Sequence, residues 1–405
     1  MGAASGDPSN LGQFRWISTI INLDFGLTAE QELLRDTARD FVARTCPPEV
    51  AKEWDDAATP PTELNAAFAA MDWFGLPFPE EYGGAGATPL ELVIVAEELG
   101  KASLDVAMCL SGRLIPTLTL FDFGDEAQKR ALVPELVRGE RNYAVAISEP
   151  DAGSDAAALR TTAEINDDHF LVNGQKMWCT GAGLPDTTIL MYVRTDREVP
   201  KHRGISALLV DPSAAGVTLR RIPTLARHIL GTYEVFLDDV VVPRDALVGE
   251  LHDGWRVMLS SLELERIVLS AGYVGAAQST VDLAVEYAKT RKQFDRPIGT
   301  FQSLAHVIAD LQTDVDSARL LTQRAAWLRG QGIPCHREAS MAKVKGSETY
   351  VNAARWGMQI MGGHGFATES VMSFRYRESI VATISGGTSQ IQRNAISRDL
   401  GLKTY

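Results

Sequence analysis

Residues His169–Thr180 read HFLVNGQKMWCT, an apolar and β-branched run punctuated by Asn173-Gly174. Similar short runs follow in TTILMYVRT (187–195), GISALLVDP (204–212), GVTLRRI (216–222) and YEVFLDDVVVP (233–243), each bounded by Gly, Pro, Asp or Thr. Such runs with turn punctuation predict strands, so residues 142–250 read as a small β domain.

Both flanks change period. Toward the N-terminus, Leu33, Leu34, Ala38, Phe41 and Val42 form one helical stripe, and Leu92, Val93, Ile94, Ala96 and Leu99 another dense apolar segment. After Gly254 the spacing predicts helices over 254–292, 303–330, 336–361 and 389–399, which pack antiparallel as a four-helix bundle. The fold class is therefore α+β: an extension over 1–22, an N-terminal α-helical domain over 23–141, the β domain, and a bundle over 251–405. No strand–helix alternation and no GxGxxG between a strand and a helix is present, which disfavours a Rossmann nucleotide site.

Composition narrows the function. The 405 residues are 45% hydrophobic and 22% charged, as in ordinary globular proteins. The 39 basic and 52 acidic residues leave a net charge of −13 with no basic stripe, so nucleic acid is a poor partner. No apolar run reaches the ~20 residues of a membrane span, and residues 1–22 lack a signal-peptide pattern; the expectation is a soluble, cytoplasmic protein. Cys46, Cys109, Cys179 and Cys335 are widely spaced, which argues for reduced thiols rather than disulfides or zinc. His364 has no partner at metal-ligand spacing, and no metal site is expected.

Three polar segments stand out. AISEPDAGSD (146–155) packs Ser148, Glu149, Asp151, Ser154 and Asp155 around Pro150 and Gly153; by residue chemistry alone it is a surface turn. In the hairpin-like NGQKMWCTGAG (173–183), Trp178 and Thr180 are two apart and share a face in an extended strand. An aromatic plane beside a hydroxyl suits a flat heteroaromatic ligand, although a tryptophan in a β domain is commonly core. The third, ISGGTSQIQR (384–393), pairs two glycines with polar residues and has no carboxylate.

Together with LPFPEEYGGAG (76–86), YAKTRKQFDRPIGTFQSLAHVIADL (287–311) and QIMGGHGF (359–366), these segments resemble the acyl-CoA dehydrogenase family from about Leu23 to Leu402. The resemblance implies FAD, an acyl-CoA substrate in fatty acid or amino acid catabolism, and desaturation between Cα and Cβ. It places Ile147, Ser148, Gly153 and Ser154 at the flavin, with Ser154 also near the thioester. It puts Trp178 beside the isoalloxazine and the Thr180 hydroxyl at flavin N5. Arg291, Phe294, Gln302, Gln359 and Gly363 match contacts to the FAD of a neighbouring subunit, which implies a homotetramer, and Thr388 and Gln390 continue the FAD site. Asp295 stands where glycine is usual and must point away from the diphosphate or pair, with Arg296 the nearest cation.

The same resemblance implies a glutamate base just before the GT of the C-terminal loop, where this chain has Gly386. In the isovaleryl- and long-chain branch the base instead precedes an arginine on the first bundle helix, and SLELERIVLSAGYVG (261–275) matches with Glu265 and Arg266. Glu265 is then the catalytic base, Arg266 orders the substrate floor, and Gly386 keeps a backbone N–H for the thioester oxygen. Glu263 competes, but two residues turn a helix by about 200°, so both cannot face the flavin. Electrons would pass to an electron-transfer flavoprotein. An acyl-carrier-protein dehydrogenase, an oxidase or monooxygenase, and a binding protein that has lost its base are the alternatives.

Overall fold

The computed structural model describes residues 26–402; the extension over 1–22 lies outside the described residues. Six helices come first: α1 (Ala29–Thr45), α2 (Pro48–Ala57), α3 (Thr62–Ala70), α4 (Pro89–Ala102), α5 (Leu104–Phe123) and α6 (Glu126–Val137). The starts of α1, α4 and α6 are capping boxes, in which Thr28, Thr88 and Asp125 accept from the third helical N–H while Gln31, Glu91 and Gln128 reach back. On α1, Ala38, Phe41 and Val42 are buried, whereas Leu33 is 68% exposed. Leu33 therefore leaves the expected stripe, because it is turned about 100° from its neighbour Leu34, which does pack on the core.

Helix α5 is apolar and 20 residues long, the length of a membrane span, against the sequence expectation that no run reaches it. It is a core helix instead: 83% of its apolar window is buried against the other helices.

The central domain is one eight-stranded sheet in the order β6-β7-β3-β2-β4-β5-β8, with β1 pairing in parallel with β4. Its strands are β1 (Asn142–Ala146), β2 (Thr162–Ile165), β3 (His169–Thr180), β4 (Thr187–Arg194), β5 (Ile205–Val210), β6 (Val217–Arg221), β7 (Thr232–Pro243) and β8 (Leu247–Val248). Asn173-Gly174 does not turn the chain. It lies within β3, which pairs along its length with β7 and shifts register at Val172/Gly174 and again at Lys176/Cys179. Strand β4 carries the alternation that matters: Ile189, Met191 and Val193 fill the β core, while Leu190 and Tyr192 face the opposite cluster, which contains Val257 and Met258.

The C-terminal helices are α7 (Gly254–Thr290), α8 (Gln302–Gly330), α9 (His336–Met361), α10 (Gly363–Phe366), α11 (Val371–Ser379) and α12 (Ser389–Asp399), with a two-strand ribbon, β9 (Lys292–Gln293) and β10 (Arg296–Pro297), between α7 and α8. The main apolar core joins α1–α5 to Leu264, Ile267 and Val268 of α7 and to Ala325 and Ala339 of α8 and α9. Glycines let α4 and α7 approach closely: a Cβ on Gly100 would sit 2.3 Å from the Gly272 carbonyl oxygen, and one on Gly275 1.8 Å from that of Glu97. Helix α7 thus contacts both the N-terminal helices and the sheet, and residues on its first half stand where all three parts meet.

Candidate active site

The 146–155 loop is built on a buried ion pair. Lys176, wholly enclosed on β3, donates to Glu149 Oε1 at 2.7 Å and to the Ile147 carbonyl at 3.1 Å, while the N–H groups of Arg160 and Thr161 donate to the other faces of the same carboxylate at 2.6 and 2.9 Å. Burial pushes the Glu149 carboxyl up, but the Lys176 ammonium and the Thr161 and Arg160 donors outweigh it and leave it below the ordinary range. The loop is therefore an anchored segment and not a plain surface turn. The Ser148 carbonyl accepts from Met177 N at 2.8 Å, which sets the loop beside Trp178.

Trp178 sits on the second register shift of β3, with φ +63° and 55% of its surface exposed. The regular strand expected there is bulged. Even so, Trp178 and Thr180 both stay outside the core while Cys179 between them is buried. Among the described residues, the Ser148 and Thr180 hydroxyls have no hydrogen-bond partner. An open indole face between unused donors fits a flavin. Ile147 is half-buried beneath this surface, packing on the cluster of Val257 and Met258, and Gly153 and Ser154 are exposed at the loop tip.

Glu265 and the C-terminal loop meet. Gly386 and Gly387 both have left-handed backbones, φ +63° and +82°, which accounts for the glycine pair on conformational grounds. A Cβ built on Gly386 would lie 3.7 Å from Glu265 Oε1 and 3.0 Å from Leu269 Cδ1. The α7 carboxylate thus occupies the space a side chain at 386 would enter. The Gly386 N–H makes no hydrogen bond to the protein, and the loop is held from behind by Gln392 Nε2, which donates to the Gly386 and Gly387 carbonyls at 3.0 and 3.2 Å. Thr388 caps α12, its hydroxyl accepting from Ile391 N at 3.2 Å, and Gln390 is exposed.

Burial raises the Glu265 carboxyl above its ordinary value, opposed by the charges of Arg266, Lys343 and Arg227. Tyr192 of β4 feels the Glu265 charge from the sheet side, with Ser261 beside it, yet its Oη completes no hydrogen bond. Arg266 is half-buried and its Nε has no partner. Lys343 of α9, wholly enclosed, is lowered to about 8 by burial and by Arg266, and it donates to the Ala382 carbonyl at 2.9 Å. Glu263 faces elsewhere: it is buried against Arg329 of α8 at 2.9 Å and against His336. Lys343, Tyr192 and Arg227 escaped sequence reading; a lysine among the small residues of ASMAKVKG was the only local signal.

Arg291, Phe294, Gln302, Gln359 and Gly363 gather at the far end of the bundle, all exposed, with Phe294 at 88%. Tyr287 and His364 tie the two loops together through Oη and Nδ1 at 3.2 Å. Phe294 and Asp295 are the two turn residues of the β9–β10 ribbon, with φ +52° and +63°. Such a turn explains a glycine preference at 295 and its tolerance of aspartate. Of the two alternatives for Asp295, pairing with Arg296 is not the one taken: Arg296 stacks on Phe301, 4.0 Å from the ring centroid. At 1.5 Å per residue, Arg291 is about 39 Å along α7 from Glu265, so one chain does not bring the two groups together.

A carboxylate of α7 set against a loop N–H, in a chain whose β domain also bares an indole, fits a flavin-dependent dehydrogenase. Residues 28–140, 144–240 and 252–401 match the N-terminal, middle and C-terminal domains of acyl-CoA dehydrogenases, and the chain belongs to the acyl-CoA dehydrogenase family. It is 36% identical to a 3-(aryl)acrylate reductase of Clostridium sporogenes over 92% of this chain and 99% of that one. It is 33% identical to the caffeyl-CoA reductase-Etf complex subunit CarC of Acetobacterium woodii over 91% and 97%. Among solved structures it is similar to a glutaryl-coenzyme A dehydrogenase in complex with glutaryl-CoA, with a TM-score of 0.90, 34% identity and 94% and 98% coverage. It is also similar to PigA with FAD and proline, with a TM-score of 0.90, 28% identity and 94% and 100% coverage.

Proposed function

We propose that the protein desaturates an acyl-CoA thioester, with Glu265 as the base that removes the Cα proton. One observation carries the assignment: Glu265 Oε1 lies 3.7 Å from where a Cβ at Gly386 would be, so the carboxylate comes from α7 to a loop position that has none of its own. A half-buried carboxyl whose proton affinity burial has raised is matched to proton abstraction near neutral pH. The free Gly386 N–H donates to the thioester oxygen, stabilising the charge that develops as the proton leaves. Glu265, retained in this position, argues against a binding protein that has lost its base.

FAD supplies the hydride acceptor when bound; Trp178, Ser148 and Thr180 hold its ring, with Ile147 and the 153–154 tip beside it. Arg266 supports the floor under the acyl group. Because Arg291 stands about 39 Å from the base along α7 and Phe294, Gln302, Gln359 and Gly363 gather at the same end of the bundle, these five serve a second copy's FAD, and Thr388 and Gln390 line the same cofactor. The assembly is a homotetramer of two such dimers. An open groove of about 560 Å³ beside the loop, lined in part by Arg160, Arg197 and Lys201, gives the phosphates of CoA a cationic surface. Electrons leave to an electron-transfer flavoprotein, supported by the relative that is a subunit of an Etf complex. The division at 141/142 and 250/251 follows the breaks between helices and strands. Four free, buried cysteines fit a reducing, cytoplasmic setting.

The test is Glu265→Gln, followed by anaerobic stopped-flow flavin reduction with a panel of acyl-CoAs. The variant should keep FAD and lose about 10³-fold in reduction rate, the order expected for a missing general base. A rate near that of the unaltered enzyme refutes the assignment.

A further inference from the structure

Between β6 and β7, Arg227 is carried into the interior on a pinned turn. Its backbone is left-handed, φ +71°, a conformation costly for a non-glycine residue. Two buried carboxylates hold the turn: Asp55 of α2 accepts from His228 N at 3.0 Å, and Asp105 of α5 accepts from Ile229 N at 3.1 Å. Arg221 donates to the His228 carbonyl at 2.6 Å. The result is a guanidinium placed between α5 and α7 by a strained segment that three side chains keep in place.

The guanidinium is under-used. Arg227 is 9% exposed, and Nε donates to Asp105 Oδ1 at 2.8 Å. Among the described residues Asp105 is the one acceptor of the guanidinium, and Nη2 is enclosed without a partner. An arginine offers five N–H donors, and enclosing the two on Nη2 unmet is costly unless something else accepts them. Its partner Asp105 follows Leu104, which packs with Leu269 and Tyr273 of α7 in one apolar cluster, and Leu269 Cδ1 lies 3.0 Å from the Cβ position of Gly386. Arg227 therefore stands beside the stretch of α7 that meets the Gly386 loop, and its charge acts on both Glu265 and Tyr273.

We infer that Arg227 is a specificity-determining residue that donates to a neutral oxygen, a carbonyl, ether or hydroxyl, carried by the acyl chain beyond Cβ. This rests on the thioester desaturation proposed above. A neutral acceptor fits better than a carboxylate, because Asp105 already balances the guanidinium. Glu378 and Asp105 are enclosed in this region and Glu265 is half-buried, so a fourth acid would meet like charge. Asp105 is a positioning residue: it holds Arg227 through Nε and leaves the Nη pair for the ligand.

The experiment measures kcat/KM for hexanoyl-CoA, 4-oxohexanoyl-CoA, 5-oxohexanoyl-CoA and adipyl-CoA with the FAD-loaded enzyme. At least one oxo substrate should exceed hexanoyl-CoA by roughly 10- to 100-fold, the value of a hydrogen bond to a charged donor. The double variant Asp105→Asn/Arg227→Met, which leaves no lone buried charge, should erase the preference while hexanoyl-CoA still reduces the flavin; Arg227→Lys should retain part of it. Equal turnover of hexanoyl and oxo substrates, or a preference that survives the double variant, overturns the inference, and so does a lead for adipyl-CoA over both oxo substrates. Should no thioester reduce the flavin at all, the desaturation itself fails, a result distinct from an enzyme that reduces it without preference. If the double variant does not fold, the comparison within the unaltered enzyme decides.

Discussion

Gly386→Glu tests whether one carboxylate position excludes the other. The new Cβ would sit 3.7 Å from Glu265 Oε1, so the second carboxylate stays within roughly 4–7 Å of the first. At an effective dielectric of about 20, two charges at that separation repel by about 3 kcal/mol. This is roughly a hundredfold in proton affinity. The pair would then hold a shared proton to a higher pH than Glu265 alone, adding to an affinity that burial already raises, and over that range Glu265 would lose its function as a base. Strain adds a separate cost of about 1–2 kcal/mol, because φ is +63° at this position, and Leu269 Cδ1 at 3.0 Å must yield by a few tenths of an ångström. Flavin reduction should fall, and its pH profile should move up by roughly two units, the hundredfold in proton affinity. Gly386→Ala carries the strain without the charge and should keep the original pH profile. The assay is anaerobic stopped-flow reduction as a function of pH; a Gly386→Glu profile that superimposes on that of the unaltered enzyme would refute the shared-pocket reasoning.

Three further outcomes follow from packing and charge. Gly275→Ala forces a Cβ to 1.8 Å from the Glu97 carbonyl and should cost about 3 kcal/mol or more in chemical denaturation, whereas Gly363→Ala, with nothing within 4 Å, should stay within about 0.5 kcal/mol. Lys176→Met leaves Glu149 buried without its cation and should cost about 3–5 kcal/mol, with FAD retention falling as the 146–155 loop loosens. Glu378, fully enclosed and accepting from Leu104 N and Tyr350 Oη, is raised from 4.5 to about 7 chiefly by burial. Its folded form binds the proton more tightly than the unfolded chain, so its contribution is present below about pH 4.5 and is lost as pH rises to about 7, on the order of 3 kcal/mol in all. Thermal unfolding of Glu378→Gln across this window should lack that part of the slope; identical slopes would contradict it.

The sequence was most legible where one physical rule acts locally. Runs such as TTILMYVRT gave the β domain, and the roughly 200° between two helical residues showed that only one of Glu263 and Glu265 could face the flavin. It was least legible where a local pattern has two outcomes. Asn173-Gly174 is a turn signal, yet β7 pairs across it and makes it strand. The spacing of Trp178 and Thr180 gave the right side of the strand, but not the left-handed Trp178 that bares the indole. The polarity of 146–155 suggested a surface turn until Lys176 was found under it.

The three-part order was therefore determined by the sequence alone, because periodicity depends on neighbours in the chain, while the candidate base came from the resemblance at the Glu-Arg step on α7. Only the tertiary structure decided which groups share a chamber. Gly386 meets Glu265 across 121 residues of sequence, Lys343 comes from a third helix, and Arg227 arrives on a turn held by acids from α2 and α5. Burial and charge depend on everything within a few ångströms in space, and for these residues almost none of it is near in sequence.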